Sequence, residues 1–328
     1  MSSFKIPPSF DLHALEIFVA VARSGGMTEA GRQLGLTQSA VSQAVANLET
    51  ALGVSLVDRS TRPLKLTRNG AILSERAAGL LDDATLAVNA TRSPSEEVFE
   101  SLTIAIFDSL SYVLSAPLVR SLSDVVQRWH IRAGLSNQHE PELRSGGLDM
   151  AITFAELLDN ELGFEHHPIF SEEFLLALPS DLDLPLLDDS GAPDLAALVG
   201  RLPFLRYSLR SSSGRAVERQ LNRLQLAIPM WLESDSPMAQ LALIAQGSAW
   251  GMMTPLFCLQ APTLLDQVRL VRLTRGRFGR NVALVVREGA FGSLPARIAE
   301  TSRTIMAETI IPQIRETAPG LDEAIRVT

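Results

Sequence analysis

Between Asp11 and Gly53 the chain carries three short runs of apolar residues at helical spacing, each shut off by glycine. Leu12, Leu15, Phe18, Val19 and Ala22 mark the first run, ended by Gly25-Gly26. Ala30 and Leu34 mark the second, opened by Thr28 and closed by Gly35. Val41, Val45 and Leu48 mark the third, opened by Thr37 and closed by Gly53. Residues three and four apart share a helix face. Hydroxyl side chains accept the orphan N–H groups at a helix start, and glycine takes the left-handed conformation that ends a helix. The pattern predicts three short helices joined by tight turns. Two short strands, 55–57 and 64–67, are predicted to follow, with residues 58–63 as the turn between them.

Two short helices joined by a tight turn are the core of a helix-turn-helix, in which the second helix enters the DNA major groove. Val41, Val45 and Leu48 fix the buried face of that helix. Gln38, Ser39, Ser42 and Gln43 then lie outward, and a Gln amide can pair with adenine. Thr37 opens the helix, whose N-terminus suits phosphate. Arg59, Arg62 and Pro63 sit in the turn, where the arginines would reach over the backbone or into a minor groove. On spacing alone, a three-helix packing unit with a solvated polar face fits equally well.

The residues themselves go further than the spacing. Residues 11–70 resemble the winged helix of the LysR-type transcriptional regulators. The resemblance rests on Leu15, Phe18-Val19-Ala20-Val21-Ala22, Thr28-Glu29-Ala30, Leu34, Leu36-Thr37-Gln38-Ser39-Ala40-Val41-Ser42, Leu48-Glu49, Leu52-Gly53, Leu56-Val57-Asp58-Arg59 and Leu66-Thr67-Arg68-Asn69-Gly70. It implies DNA contacts from Gln38, Ser42 and Gln43 and a wing at Arg59, Arg62 and Pro63. Ser39 stands where the family commonly has proline, and Gln43 where it commonly has arginine, which bears on the preferred base sequence and not on the fold.

Residues 69–91 follow without proline and are rich in Ala and Leu, too apolar for a solvated linker. A helix that packs on another helix is predicted, and in the family this helix pairs two chains. Ser93-Pro94-Ser95 breaks it. Beyond residue 100, apolar strands alternate with helical stretches, which indicates an α/β sheet domain. Strands are predicted at 102–107, 131–135, 150–153, 174–178, 203–207, 230–233, 251–253 and 282–286, and helices at 110–122, 214–224, 237–245 and 295–310. This part is similar, more loosely, to the family's effector-binding domain, two α/β lobes like those of periplasmic solute-binding proteins. The expected domains are a winged helix-turn-helix at 1–68, a linker and dimerisation helix at 69–94, and an effector domain at 95–328. Its first lobe is expected at about 101–172 and 279–316, its second at about 173–278.

Ligands of open α/β sheets sit beyond the carboxyl ends of strands, near helix N-termini. By that rule the expected effector residues are Ser109, Ser111, Asn137, Thr153, Phe154, Ser208, Arg210, Ser236 and Thr254. Hydroxyls at helix starts together with Arg210 suit an anionic effector. Caps on helices and a solvated arginine are the plainer alternative.

Composition narrows the function classes. The net charge of −8 argues against a protein that coats nucleic acid, yet residues 1–70 hold seven Lys/Arg against five Asp/Glu, a basic head on an acidic body. The single cysteine, Cys258, excludes an internal disulfide and a cysteine-rich zinc site. His130, His139, His166 and His167 match no metal spacing, so no metal and no cofactor are expected. No apolar run is long enough to span a membrane and the first residues lack a signal-peptide core, so the expected location is the cytoplasm. Catalytic motifs such as a Walker loop or Gly-x-Ser-x-Gly are missing, so no enzyme activity is expected. The expected partners are double-stranded promoter or operator DNA, a small-molecule effector, further copies of the chain as a homodimer and tetramer, and RNA polymerase. Rival readings are an enzyme carrying a helix-turn-helix and an architectural DNA-binding protein with no effector.

Overall fold

A computed structural model describes residues 7, 10–61, 64–91, 98–158, 162–182, 194–273 and 276–328. The chain divides into two compact units, one of residues 1–95 with 144–147 and one of residues 96–143 with 148–328. In the first, α1 (Leu12–Ser24) is capped by Asp11, whose carboxylate accepts the Ala14 N–H at 2.7 Å, and ends at Gly25 with φ 68°. Next, α2 (Met27–Leu34) begins at Gly26 and ends at Gly35. Thr28, expected to open it, lies inside its first turn. Then α3 (Gln38–Leu52) is capped by Thr37, whose Oγ1 accepts the Ala40 N–H at 3.2 Å. Such a cap is worth about 1 kcal/mol.

Leu15, Phe18, Ala30, Val41, Val45 and Leu48 are buried together in the core of this unit, whereas Leu12, expected on the same face of α1, is exposed. The α2–α3 turn depends on Gly31: a Cβ there would lie 2.7 Å from the Leu36 carbonyl oxygen, too close for any side chain. Strands β1 (Val57–Asp58) and β2 (Lys65–Leu66) pair antiparallel. The long α4 (Arg68–Thr91) buries Ala77 in the same core while Ile72, Leu80 and Val88 stay exposed.

The second unit has two lobes. Its first sheet holds β3 (Leu102–Phe107), β4 (Trp129–Gly134), β5 (Met150–Phe154), β6 (Phe164–Glu173), β12 (Gly279–Arg287) and β13 (Ile325–Val327), in the order β13-β6-β12-β5-β3-β4. Strands β4 and β5 flank β3 in parallel, whereas β12 runs antiparallel to both β5 and β6. Helix α5 (Asp108–Ser121) follows β3 and α6 (Ser136–Ser145) follows β4. The second lobe builds on β7 (Leu175–Pro179) flanked by β10 (Gly251–Met253) and β11 (Val268–Arg272), with a parallel pair β8 (Leu205–Tyr207) and β9 (Leu232–Ser234). Helices α7 (Leu195–Val199), α8 (Ser212–Arg223) and α9 (Pro237–Ala245) belong to it. Trp250, Phe204, Leu205, Leu241 and Val217 are among its buried residues. The chain then returns through β12 to α10 (Leu294–Ile305), which continues through a π-helical turn (Met306–Ile310) into α11 (Ile311–Thr317).

Three strands were missing from the expectation. Pro168 sits in β6 beside a register irregularity opposite Val282/Ala283, and proline within a run argues against a strand. The short β13 adds to the sheet edge on β6, and β11 has no boundary residue to announce it. The chain passes between the lobes twice, from β6 into β7 and back into β12, and the two passages run side by side. Phe174 N–H donates to the Phe278 carbonyl at 3.0 Å, and the two rings stack at 4.8 Å. Gly279 is required there, since a Cβ would come within 2.3 Å of the Glu172 carbonyl oxygen.

Candidate functional site

In the first unit, Thr37, Gln38, Ser39 and Gln43 are exposed at the start of α3, and Ser42 is half-buried beside them. Gln43 donates to Asn47 one turn on, at 2.8 Å, which orients its amide along the helix. Val41, Val45 and Leu48 are buried on the opposite side, which anchors α3 and turns this polar face outward. Arg59 is held by Glu49 at 2.8 Å, and the other oxygen of Glu49 accepts the Leu56 and Val57 N–H groups. Arg59 is therefore anchored at the base of the β1–β2 turn and not loose in it. Arg62 and Pro63 lie outside the described residues.

In the second unit, a cavity of about 190 Å³ opens where the two lobes meet at their joining strands. Phe107, Asp108 and Ser109 from the start of α5, Leu135, Phe154, Tyr207, Ser211, Ser213, Asp235, Pro237, Phe257 and Arg280 line it. The residues that start α5, α8 and α9 all reach this cavity, so three helix N-termini bear on one space. Ser211 caps α8 by accepting the Gly214 N–H at 2.9 Å, and Ser236 caps α9. By contrast α5 has no side-chain cap, because its N-cap residue is Phe107.

Arg280 organises the floor. It faces Glu172 directly across the β6–β12 pair, and the two side chains are almost wholly buried as an ion pair. Its Nε donates to Glu172 at 2.7 Å, Nη1 to Ser213 at 3.0 Å, and Nη2 to Ser109 and Thr254 at 3.3 and 3.2 Å. The guanidinium lies over Phe107 and Phe154 at 4.7 and 4.9 Å, and those rings stack on each other at 5.3 Å. Ser109 from the first lobe and Ser213 and Thr254 from the second thus meet on one cation. Tyr207 is 5% exposed and lines the cavity, yet its hydroxyl has no hydrogen-bond partner. Burial pushes its pKa up, Glu172 adds to the rise and Arg280 offsets part of it, so the hydroxyl stays protonated.

Of the residues expected from strand ends, Ser109 and Phe154 line the cavity and Thr254 lies one hydrogen bond behind it. The others are set apart. Ser111 faces along α5, 3.1 Å from Ser115. Thr153 is buried, its hydroxyl has no hydrogen-bond partner, and it is not among the residues that line this cavity. Ser208 accepts the backbone and Nε groups of Arg210. Arg210 is ion-paired with Asp235 at the rim, so its fork is already engaged. Ser236 is consumed as a cap. Asn137 is in α6, its side chain outside the described residues. Arg280, Glu172, Tyr207, Asp108, Ser213 and Asp235 were not among the expected residues. An arginine placed after glycine at the start of an apolar strand was the available signal for Arg280, blurred by Arg275 and Arg277 just before it.

A second cavity shares Phe154 and Arg280 as walls and is otherwise lined by residues such as Arg215, Arg219 and Glu156. Among the described residues no cluster of His, Cys, Asp and Glu could hold a metal ion, and no helix is long and apolar enough to cross a membrane.

Two family descriptions match the chain: the bacterial regulatory helix-turn-helix protein, lysR family, over residues 12–71, and the LysR substrate binding domain over residues 95–298. The HTH-type transcriptional regulator ShiR of Corynebacterium glutamicum is 31% identical over 233 residues, covering 66% of this chain and 78% of that protein. A probable hydrogen peroxide-inducible genes activator of Mycobacterium avium is 29% identical over 292 residues, covering 84% and 88%. Among solved structures, a full-length OxyR variant from Pseudomonas aeruginosa superposes with TM-score 0.69 at 18% identity, covering 90% of this chain and 95% of that one. ArgP from Mycobacterium tuberculosis gives 0.63 at 20% identity, covering 90% and 96%.

Proposed function

We propose that this chain, which belongs to the LysR family of bacterial transcription regulators, reads operator DNA with the outer face of α3 and is switched by a small acidic metabolite in the Arg280 cavity. The family is one of regulators with a helix-turn-helix and a substrate-binding domain, not of enzymes. The observation that carries the effector reading is the cavity itself: a buried guanidinium, an uncapped helix N-terminus and an unsatisfied tyrosine hydroxyl bear on one small space. Arg280 has five N–H donors, and its Nη1 donates to Ser213 alone, which leaves a hydrogen for an acidic group. An uncapped N-terminus favours the same charge.

Thr37, Gln38, Ser39, Ser42 and Gln43 are the proposed base and phosphate contacts, with Arg59, Arg62 and Pro63 as the wing. The proposed domains are 1–68, 69–94 and 95–328, and the protein acts in the cytoplasm on promoter DNA, with RNA polymerase as a further partner. Exposed Ile72, Leu80 and Val88 on α4 support pairing with a second copy through that helix, and a tetramer of such dimers is the proposed assembly. Arg280 is bonded to hydroxyls from both lobes, so a ligand that changes those bonds changes the angle between lobes, a hinge motion of the kind that alters paired DNA-binding heads.

The name of the Mycobacterium avium relative does not carry over to a peroxide response. Cys258 is the chain's single cysteine, it is buried, and burial pushes its pKa up to about 12. Thiol oxidation proceeds through the thiolate.

The test is protection of DNA upstream of the gene and its neighbours by wild-type protein and by Gln38→Ala and Ser42→Ala. The reading expects a protected operator for the wild type and a specificity ratio lowered by roughly 5- to 150-fold in the variants, about 1–3 kcal/mol per lost base contact. Unchanged ratios in both variants remove α3 from the groove.

A further inference from the structure

We infer that the effector is a zwitterion, a compact α-amino acid with an apolar side chain. This rests on the cleft reading above and adds the second charge. The cavity is lined by two carboxylates as well as by Arg280. Asp108 comes from the first lobe, at the start of α5, and among the described residues it has neither an ion-pair nor a hydrogen-bond partner. Asp235 comes from the second lobe, between β9 and α9, where Arg210 holds one oxygen. The charge of Arg280 is already balanced by Glu172. Asp235 is balanced in the same way by Arg210, so the space offers a purely anionic ligand no excess of positive charge and offers an ammonium group one unpaired acid, Asp108.

Asp108 belongs to the first lobe and Tyr207 to the second. A ligand whose ammonium group pairs with Asp108 and whose acidic group meets Tyr207 touches both lobes at once. The acidic end of the same molecule finds the uncapped α5 N-terminus, the second Nη1 hydrogen of Arg280 and the Tyr207 hydroxyl, a buried donor with no partner of its own. Phe107, Phe154, Phe257, Leu135 and Pro237 supply an apolar wall to the same space, which suits the hydrocarbon or aromatic side chain carried on the carbon that bears both charges. The cavity of about 190 Å³ suits a single amino acid and is small for a peptide.

The experiment uses the full chain and calorimetry. The twenty L-amino acids are titrated first. The tightest binder is then compared with its desamino carboxylic acid and its decarboxylated amine, for example L-phenylalanine with 3-phenylpropanoate and 2-phenylethylamine. The amino acid is expected to bind about 10- to 150-fold more tightly than either analogue, the loss that goes with one charged hydrogen bond. In Asp108→Asn the advantage over the carboxylic acid shrinks to a few-fold while the carboxylic acid binds as before. In Tyr207→Phe the amino acid and the carboxylic acid weaken together and the amine does not.

Carboxylic acids that bind as tightly as the amino acid, or an Asp108→Asn variant that keeps the full preference, overturn the zwitterion and leave the regulator with an acidic effector. Binding by the amine alone overturns the zwitterion and the acidic-effector reading together. So does a panel of amino acids, carboxylic acids and amines in which nothing binds.

Discussion

Replacing Arg280 with methionine isolates what the buried pair contributes. The substitution keeps an unbranched side chain over Phe107 and Phe154 and removes the charge. Glu172 is 2% exposed and its Oε2 already has no partner, so the variant leaves a carboxylate buried with no counter-charge. Breaking a buried pair from one side costs about 3–5 kcal/mol. For a unit of this size 1 kcal/mol moves Tm by roughly 2–4 °C, so Arg280→Met is expected to lower it by roughly 6–20 °C. Adding Glu172→Leu removes the orphaned charge, and exchanging a whole buried pair for apolar side chains is neutral to stabilising by about 1–4 kcal/mol. The double variant should therefore recover most of the loss in urea unfolding followed by circular dichroism, while failing to bind the effector. An Arg280→Met variant that loses less than about 1 kcal/mol, or a double variant as unstable as the single one, would show that an orphaned Glu172 charge is not the source of the loss.

Three further outcomes follow from the same geometry. Burial lowers the His139 pKa from 6.5 to about 4, so the folded form binds fewer protons than the unfolded form between those values. Its contribution is complete above pH 6.5 and fades as pH falls toward 4, about 3 kcal/mol in all; a pH series of urea midpoints should flatten over that window in His139→Gln, and an equal slope in both proteins would count against it. Hydrogen peroxide should leave operator affinity unchanged and Cys258→Ser should behave as the wild type, whereas a peroxide effect abolished by that substitution would assign Cys258 a sensing role. Leu80→Asp with Val88→Asp should give monomers by sedimentation, since both side chains are exposed on α4, and dimers persisting at low micromolar concentration would place the interface elsewhere.

The first unit was legible because its determinants are local. The apolar faces of α1, α2 and α3 repeat every three or four residues, and Gly25, Gly35 and Gly53 stop them within the same few turns. The start of α2 was misplaced because Gly26, which has no capping side chain, outcompeted Thr28. The cleft was legible only where chain order tells the answer: Ser109 and Phe154 directly follow or end strands that point at it. Arg280 and Glu172 are 108 residues apart in sequence and meet only because β6 and β12 pair, which no local pattern encodes. Ser208, Arg210 and Ser236 obey the same strand-end rule as Ser109 but are taken up by nearby backbone, caps and the Asp235 carboxylate. A positional rule finds the neighbourhood of a cleft; competition for hydrogen bonds decides which side chains reach it.

Coupling between the cleft and the α3 face is measurable as linkage. Operator affinity of the full chain is measured with and without saturating amino acid, and amino-acid affinity with and without saturating operator. Coupled sites change each other by one and the same factor, typically about 5- to 150-fold. Equal factors are expected in the two directions, both well away from one, and both are expected to be lost in the Arg280→Met/Glu172→Leu variant. A factor of one in a chain that binds both ligands would contradict the coupling.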